Sequence, residues 1–262
     1  MDLRLTGRVA LVAGASSGLG YAAAEALARE GCRVAIVART PSALRHAAER
    51  LVAATGAEIL PLPADVSVPD EVTRVVAETA ARFGQVDIVL ANAGGPPPGR
   101  FLAHDHLAWV RAVETNLLST VTMFRAALPE MIERRWGRLL VITSLSALEP
   151  LPGLILSSTV RAGVHGLVKA LSDEAAAHGV TVNAIAPGMF GTDRLAEIWE
   201  ARARNSGGSA AEELAKGLSA IPAGRLGDPA ELGALVAFLA SEQAGFITGR
   251  VVQIDGGQGR AL

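Results

Sequence analysis

Short apolar segments alternate along the chain with longer segments in which apolar residues recur every three to four positions. The short segments are apolar on both faces, as is typical of parallel strands that helices cover on each side. They occupy residues 8–13, 33–38, 58–62, 86–91, 138–143, 180–186 and 249–255. The segments with helical periodicity occupy residues 19–30, 41–54, 69–82, 107–135 and 229–241. This βαβ alternation predicts an α/β fold with a doubly wound parallel sheet.

Three further segments complete the pattern. Residues 157–174 predict a long helix, and the hydroxyl residues at 157–159 could cap its first turn. Residues 189–218 form a long insertion after a predicted strand, which is typical of a substrate lid, although a plain surface excursion is the alternative. The sequence GPPPG at 95–99 predicts a loop at the rim of the sheet. No repeat or linker divides the chain, so we expect one domain over residues 1–262.

Composition and charge narrow the class of protein. Half of the 262 residues are apolar, and the net charge of −2 gives no electrostatic reason to expect nucleic acid or an anionic membrane as a partner. The only cysteine, Cys32, excludes an internal disulfide and a cysteine-based metal site, and we expect it to be an inert buried thiol. No signal pattern or membrane-spanning apolar run is present. We expect a soluble, cytoplasmic protein without a metal site.

A glycine-rich loop, GASSGLG at 14–20, lies between the first predicted strand and the first predicted helix. Its glycines allow a tight turn and a close approach of the backbone to a pyrophosphate, which the N-terminus of the helix favours. The strand–turn–helix context is the one that a dinucleotide site requires, although a purely structural turn is the alternative. The candidate nucleotide-binding residues of this loop are Gly14, Ser16, Ser17, Gly18, Leu19 and Gly20.

Arg39 follows the second predicted strand, where a dinucleotide site for NAD(H) normally has an acidic residue. A carboxylate at this point binds the free 2′-hydroxyl of the ribose, whereas a guanidinium suits a 2′-phosphate. The sequence therefore favours NADP(H) over NAD(H), with a solvated arginine as the alternative.

The glycine spacing, together with ANAG at 91–94, resembles that of the short-chain dehydrogenase/reductase family. The resemblance continues in the family's order through NLL at 116, PEM at 129, GRLLVITSLSA at 137, GVTVNAIAPG at 179, GRLGDPAEL at 224, FLASEQAGFITG at 238 and VVQIDGG at 251. It implies one seven-stranded Rossmann-type domain with a three-layer α/β/α architecture. It also implies a homotetramer, or a homodimer, that acts on a small-molecule substrate.

The resemblance implies site residues as well. Asp65 and Val66 would lie at the adenine, and residues 92–94 (Asn92, Ala93 and Gly94) would line the cofactor. Pro187, Gly188 and Thr192 would lie near the nicotinamide. Asn116 corresponds to an asparagine that holds a relay water, and Ser144 to a serine that stabilises an oxyanion. Without the resemblance, Asn116 could be a residue of a helix bend and Ser144 a cap at a strand end.

The chain departs from the family at the two positions that carry proton transfer. Ser157 stands where the family has tyrosine, and Arg161 stands where it has lysine. A serine hydroxyl is far less acidic than a phenol, whose unperturbed pKa is about 10. Arg161 keeps the positive charge and could hold the ribose hydroxyls of the nicotinamide, but it cannot release a proton to a relay.

No other residue is an obvious replacement for the tyrosine. The single tyrosine, Tyr21, lies after the glycine loop and is expected at the surface. Lys169 is two helical turns beyond Arg161, roughly 12 Å along the axis. The remaining candidates are His165, which could instead be a helix-packing residue, and His104, His106, Ser146 and Ser158.

Three functional hypotheses remain open. The first is NADP(H)-dependent carbonyl reduction or alcohol oxidation, similar to that of 3-oxoacyl reductases, with an altered proton donor. The second is an NADP(H)-binding protein with little or no turnover, acting as a sensor or partner subunit. The third is another reaction, in which Ser157 and Arg161 bind an anionic group. Pro96, Pro97, Pro98 and Phe101, together with the expected lid, suggest an apolar or extended substrate.

Overall fold

Seven parallel strands form the centre of the protein in a computed structural model that describes residues 1–193, 195–196, 199–200, 203 and 207–260. The strands are β1 (Val9–Ala13), β2 (Arg33–Ala38), β3 (Ile59–Pro63), β4 (Ile88–Ala91), β5 (Gly137–Ile142), β6 (Val180–Pro187) and β7 (Arg250–Ile254). Their order across the sheet is β3-β2-β1-β4-β5-β6-β7, and every pair is parallel. The predicted doubly wound, seven-stranded Rossmann-type sheet is confirmed.

Helices cover both faces of this sheet. They include α1 (Gly18–Arg29), α2 (Pro41–Thr55), α3 (Pro69–Phe83), α4 (His106–Val113), α5 (Ser119–Arg134), α6 (Ile155–Ala175), α7 (Ala210–Ser219) and α8 (Pro229–Ala240). A π-helical turn, Glu114–Leu118, joins α4 to α5 within the single helix predicted for residues 107–135. Short 3₁₀ turns lie at Phe101–Ala103, Leu145–Ala147 and Ala176–His178. Within the described part of the chain, no helix has the length and apolar character needed to span a membrane.

Alternation along the strands creates two apolar layers, one on each side of the sheet. Ala10 and Val12 of β1 face a layer that includes residues of α1, α2 and α8, whereas Leu11 faces the layer that includes residues of α3, α5 and α6. All five residues of β1 and all eight of β6 are buried. Burial of each large apolar side chain contributes roughly 1.5–3 kcal/mol. The strand segments are apolar throughout because helices cover both of their faces.

The start of α6 differs from the prediction. The helix begins at Ile155, its N-cap is Leu154, and no side chain caps its first turn, so the predicted hydroxyl cap at residues 157–159 is wrong. Leu154 instead forms a β-bridge with Gly99, and the Gly99 amide donates to the Gly153 carbonyl at 2.7 Å. This pairing with the proline-rich loop sets the point at which the chain enters the helix.

The insertion predicted at residues 189–218 is described in part. It contains α7, which a reciprocal capping box between Ser209 and Glu212 begins. Trp199 is buried and packs against Gly217 of this helix. Residues 194, 197, 198, 201, 202 and 204–206 of the expected lid lie outside the described residues.

Cys32 is a buried thiol, as predicted. It lies just before β2, and its Sγ is 3.5 Å from the Leu5 carbonyl oxygen. Burial, followed by the negative charge of Asp87, raises the pKa of the thiol to about 12. Such a thiol is protonated at neutral pH and is a poor nucleophile.

Asp87 anchors the amino-terminal edge of the sheet. Its buried carboxylate accepts hydrogen bonds from the Val9 amide at 2.9 Å and from the Gln85 side chain at 2.8 and 2.9 Å.

We expect Asp87→Ala to lower the free energy of unfolding by about 2–3 kcal/mol, because the buried Val9 N–H loses its acceptor. Urea denaturation measures this change. Asp173→Ala, which removes an exposed ion pair with Lys169, should cost less than about 1 kcal/mol; equal losses in the two variants would contradict the assignment.

Candidate active site

The carboxyl ends of the strands form a crevice where the strand order reverses, between β1 and β4. In doubly wound sheets this switch point is where ligands bind. The glycine loop follows β1, and Asn92 follows β4. The Asn92 side-chain amide donates to the carbonyls of Ala13 at 3.2 Å and Gly14 at 3.3 Å, so it holds the loop against the end of β4.

The glycine loop has the conformation that a nucleotide cradle requires. Gly14 and Gly18 have φ angles of 61° and 58°, which favour glycine. A Cβ atom on Gly20 would overlap the Gly14 carbonyl oxygen and lie 2.8 Å from the Asn92 side-chain nitrogen. Ser17, the N-cap of α1, makes no side-chain hydrogen bond to the first turn of the helix. The loop therefore packs too closely against Gly14 and Asn92 to accept a side chain at Gly20. The amides in the first turn of α1 have no side-chain cap, so this loop fits a bound pyrophosphate.

Arg39 and Asp65 lie together at the outer end of this crevice. Arg39 is exposed just beyond β2, and Asp65 follows β3. Burial would raise the pKa of Asp65, but hydrogen bonds from the amide and hydroxyl of Ser67 and the charge of Arg39 outweigh it, so the pKa is lowered. The carboxylate accepts from that amide at 2.9 Å and from that hydroxyl at 2.7 Å. Val66, between these residues, is partly buried.

The loop after β6 reaches the same crevice. Pro187 ends β6, and the Gly188 amide donates to the Ile254 carbonyl at 3.0 Å. A Cβ atom on Gly18 would lie 3.6 Å from Cγ2 of Thr192, which places Thr192 beside the glycine loop. The structure therefore brings most of the predicted cofactor residues to one edge of the sheet.

Three serine hydroxyls form a connected chain at the end of β5. The amide and the hydroxyl of Ser146 both donate to Oγ of Ser144, at 3.1 and 2.9 Å. Oγ of Ser157 lies 3.2 Å from Oγ of Ser146. Because Ser146 has one hydroxyl proton and gives it to Ser144, Ser157 is the donor in the second contact. Ser144 thus accepts two hydrogen bonds and keeps its own O–H as a donor.

Sequence reasoning includes Ser146 only among the candidate proton donors, whereas the structure makes it the link between Ser144 and Ser157. The sole signal in the sequence is the repeat of serine two residues after Ser144, and this spacing becomes informative only when the 3₁₀ turn Leu145–Ala147 is known.

Arg161 lies one helical turn beyond Ser157 and points its guanidinium at the ends of β4 and β5. It donates to the Thr143 carbonyl, to Oδ1 of Asn116 at 3.2 Å and to the Ala93 carbonyl at 3.5 Å. Asn116 is buried in the π-helical turn, and its side-chain amide nitrogen donates to the Ala112 carbonyl at 3.3 Å. The structure therefore brings Asn116 and Arg161 into direct contact.

The other proton-donor candidates are placed differently. Nε2 of His165 is 2.9 Å from the Thr143 hydroxyl, which donates to the Ile185 carbonyl. Burial, followed by the charge of Arg161, lowers the pKa of His165. His165 thus packs against the end of β5. Exposed Lys169 pairs with Asp173.

Neither His104 nor His106 joins the serine chain through a hydrogen bond in the described part of the protein. The Nε2 atom of His104 is buried close to Gly99, and exposed His106 begins α4. Tyr21 is partly buried in α1, with the Arg50 guanidinium 4.5 Å from the centroid of its ring. The structure therefore offers the serine chain no histidine or tyrosine partner among the described residues.

An apolar groove of about 620 Å³ lies beside the proline-rich loop, next to Phe101. Its lining includes Ile155, Thr159 and Ala162 of α6. These residues lie on the side of the helix away from Ser157 and Arg161. Phe101 also makes an edge contact with Trp109, with ring centroids 6.2 Å apart. Ser144, Ser146 and Ser157 are not among the residues that line this groove.

The sheet and its crevice define a Rossmann-type α/β protein, and comparison with known proteins defines the family. A family model described as enoyl-(acyl carrier protein) reductase matches residues 14–258. Nodulation protein G of Azospirillum brasilense is 38% identical over 251 residues, covering 95% of this chain and 97% of that protein. The 3-oxoacyl-[acyl-carrier-protein] reductase FabG of Vibrio cholerae is 35% identical, covering 97% and 98%. The chain belongs to the short-chain dehydrogenase/reductase family.

Solved structures agree with this assignment. L-sorbose reductase from Gluconobacter frateurii, in complex with NADPH and L-sorbose, superposes with a TM-score of 0.95 at 30% identity over 100% of both chains. Actinorhodin polyketide ketoreductase with NADPH superposes with a TM-score of 0.93 at 33% identity over 97% of each chain. The similarity extends through the whole sheet and is not limited to the glycine loop.

Proposed function

We propose that the protein is an NADP(H)-dependent oxidoreductase that interconverts a carbonyl compound and an alcohol, with a proton donor other than tyrosine. The observation that carries this proposal is the position of the Ser144–Ser146–Ser157 hydroxyl chain at the same edge of the sheet as the glycine cradle. The similarity to FabG proteins and to NADPH-bound ketoreductases supports the cofactor and the reaction class.

The glycine loop, Arg39 and the loops after β3, β4 and β6 would together form the cofactor site. The amides of the glycine loop would bind the pyrophosphate, Arg39 the 2′-phosphate, and Asp65 and Val66 the adenine. Asn92 to Gly94 and the loop after Pro187 would line the nicotinamide end. When bound, NADPH supplies a hydride to the carbonyl carbon of the substrate.

Ser144 stabilises the charge that develops on the substrate oxygen. Both of its lone pairs accept hydrogen bonds from Ser146, so its O–H is available as a donor. The chain from Ser157 through Ser146 aligns each hydroxyl dipole in the same direction and polarises the last one. A single aligned donor to an oxyanion contributes roughly 10²–10³ in rate.

The proton comes from a water molecule that Ser157 binds. The Ser157 hydroxyl stops short of the substrate by the length of an aromatic ring, and its own proton is donated to Ser146. A water molecule that bridges this distance gives one proton to the developing alkoxide, and the hydroxide that remains takes a proton from solvent. Water is a poorer general acid than a phenol whose pKa is lowered. We therefore expect slow turnover.

The second candidate function is NADP(H) binding with little or no turnover, in a sensor or a partner subunit. The replacement of the tyrosine and lysine beside an intact glycine cradle favours it. The third hypothesis, binding of an anionic substrate group by Arg161, has less support because the guanidinium already donates to Thr143 and Asn116.

Calorimetric titration of NADPH and NADH tests the shared part of both candidates. We expect NADPH to bind more tightly than NADH and Arg39→Ala to weaken NADPH binding about 10- to 100-fold, because one charge-assisted contact to the 2′-phosphate contributes about 1.5–3 kcal/mol. NADH affinity should be unchanged. Arg45→Ala, in the exposed part of α2, is the matched control.

Two outcomes would contradict the proposal. If neither nucleotide binds, the oxidoreductase hypothesis fails, and a structural or partner-binding role replaces it. If Arg39→Ala weakens both nucleotides equally, Arg39 does not recognise the 2′-phosphate. Should NADPH bind, a search for NADPH oxidation with a panel of apolar ketones and 3-oxoacyl thioesters separates slow catalysis from binding alone.

We further propose that the protein self-associates, as a homotetramer or a homodimer, and that residues 189–218 act as a lid. Strand β7 is an edge of the sheet with partly exposed residues, and Phe246 beside it is fully exposed. These features support a contact with a second copy. Light scattering after size-exclusion chromatography measures the molar mass of the protein in solution. A mass equal to that of one chain would contradict self-association.

A further inference from the structure

We infer that Arg161 is a positioning residue, a clamp that holds the ends of β4 and β5 and the π-helical turn together, and that no proton passes through it. This inference does not depend on the proposed function, because the clamp is made by the protein alone. It concerns the residue that stands in place of a relay lysine.

Arg161 donates to acceptors in three separate segments of the chain. Thr143 directly follows β5, Ala93 lies two residues beyond β4, and Asn116 lies in the π-helical turn between α4 and α5. The guanidinium is a rigid planar fork with five N–H donors, so it can bind divergent acceptors at once. It therefore links these three segments through one side chain.

Thr143 is held from two sides. Its carbonyl accepts from Arg161, and its hydroxyl contacts His165 while donating to the Ile185 carbonyl at 3.0 Å. Burial, followed by the charge of Arg161, lowers the pKa of His165, which favours the neutral imidazole beside this cation. The end of β5, directly before Ser144, is thus fixed by residues of α6 and β6.

The cavity beside the clamp is small. A small cavity of about 10 Å³ remains between Asn92, Asn116, Thr120 and Arg161. A cavity of roughly 10–15 Å³ is needed for one water molecule, so a relay of several waters does not fit. A guanidinium also cannot deprotonate in a protein. Arg161 therefore cannot pass a proton to or from a water molecule in this cavity.

A double-mutant cycle in the cofactor-free protein tests the clamp. We expect Arg161→Met and Asn116→Ala each to lower the folding equilibrium constant about 10- to 100-fold, because each leaves buried polar partners unsatisfied. The folding equilibrium constant of the double variant should be no more than about threefold below that of the less stable single variant, since both substitutions remove the same contact. Arg125→Met, at an exposed position of α5, should leave stability unchanged.

Hydrogen exchange supplies a local readout. In Arg161→Lys, which keeps the charge but loses the fork, we expect amides at residues 92–94 and 143–144 to exchange at least tenfold faster, with no change in β1 or β2. Arg161→Lys also tests the clamp if Arg161→Met does not fold. Faster exchange confined to these ends would support the clamp.

Three results would overturn the inference. Additive losses in the cycle would show that Arg161 and Asn116 act separately. Unchanged exchange in Arg161→Lys would show that the fork does not hold the strand ends. A cofactor-free Arg161→Met protein as stable as the wild type, with weaker NADPH binding, would place Arg161 on the cofactor; this last result would leave the proposed function intact.

Discussion

The double substitution Ser157→Tyr with Arg161→Lys is expected to raise carbonyl reductase turnover by roughly 10²–10⁴-fold, the usual contribution of a well-placed general acid. Tyrosine has an unperturbed pKa of about 10, and a neighbouring lysine lowers it towards neutrality. Ser157 and Arg161 lie one turn apart on α6, so both new side chains would extend from the same face of the helix. The Ser146–Ser157 contact at 3.2 Å places the phenol beside the hydroxyl chain.

NADPH oxidation with a panel of apolar ketones and 3-oxoacyl thioesters measures this gain. Ser157→Phe with Arg161→Lys is the matched control, because it adds the ring without the phenolic proton and should stay near the wild-type rate. Arg161→Lys alone separates the effect of the clamp from that of the acid. A double variant as inactive as the wild type towards the whole panel would count against the idea that only the proton donor is missing.

The second large effect is expected at the glycine cradle. Gly20→Ala should weaken NADPH binding by more than about 100-fold, because the new methyl group would overlap the Gly14 carbonyl oxygen and crowd the Asn92 amide that holds the loop. The backbone atoms at this point cannot move aside without opening the loop, and over-packing of this kind costs roughly 1–3 kcal/mol or more. Calorimetry measures the affinity, and thermal unfolding measures the accompanying loss of stability.

Gly166→Ala is the control for the same chemical change. Gly166 is exposed on α6, and a Cβ atom there meets no other atom within 4 Å. Alanine is also favoured over glycine within a helix, by about 1 kcal/mol. We expect normal NADPH binding and equal or greater stability. Normal binding by Gly20→Ala would instead mean that the cradle tolerates a side chain and that the pyrophosphate is bound elsewhere.

The sequence by itself determined the seven strands, most of the helices and the glycine loop. Strands such as Val9–Ala13 could be predicted because residues buried on both faces must be apolar throughout, and this pattern is local. The loop at residues 14–20 could be predicted because its glycines serve the conformation of that same short segment. Periodicity and turn chemistry act over a few residues, so they are readable without knowing any partner.

Only the tertiary structure decided how the site is connected. The start of α6 follows from the bridge between Leu154 and Gly99, which lie 55 residues apart in a pairing that no local cap reveals. Ser146 became a link only when the turn after β5 brought it between two other hydroxyls. The Arg161 clamp joins residues as far as 68 positions away. These contacts depend on which strands are neighbours and where each ends, and that order is a property of the packed sheet that no local pattern encodes.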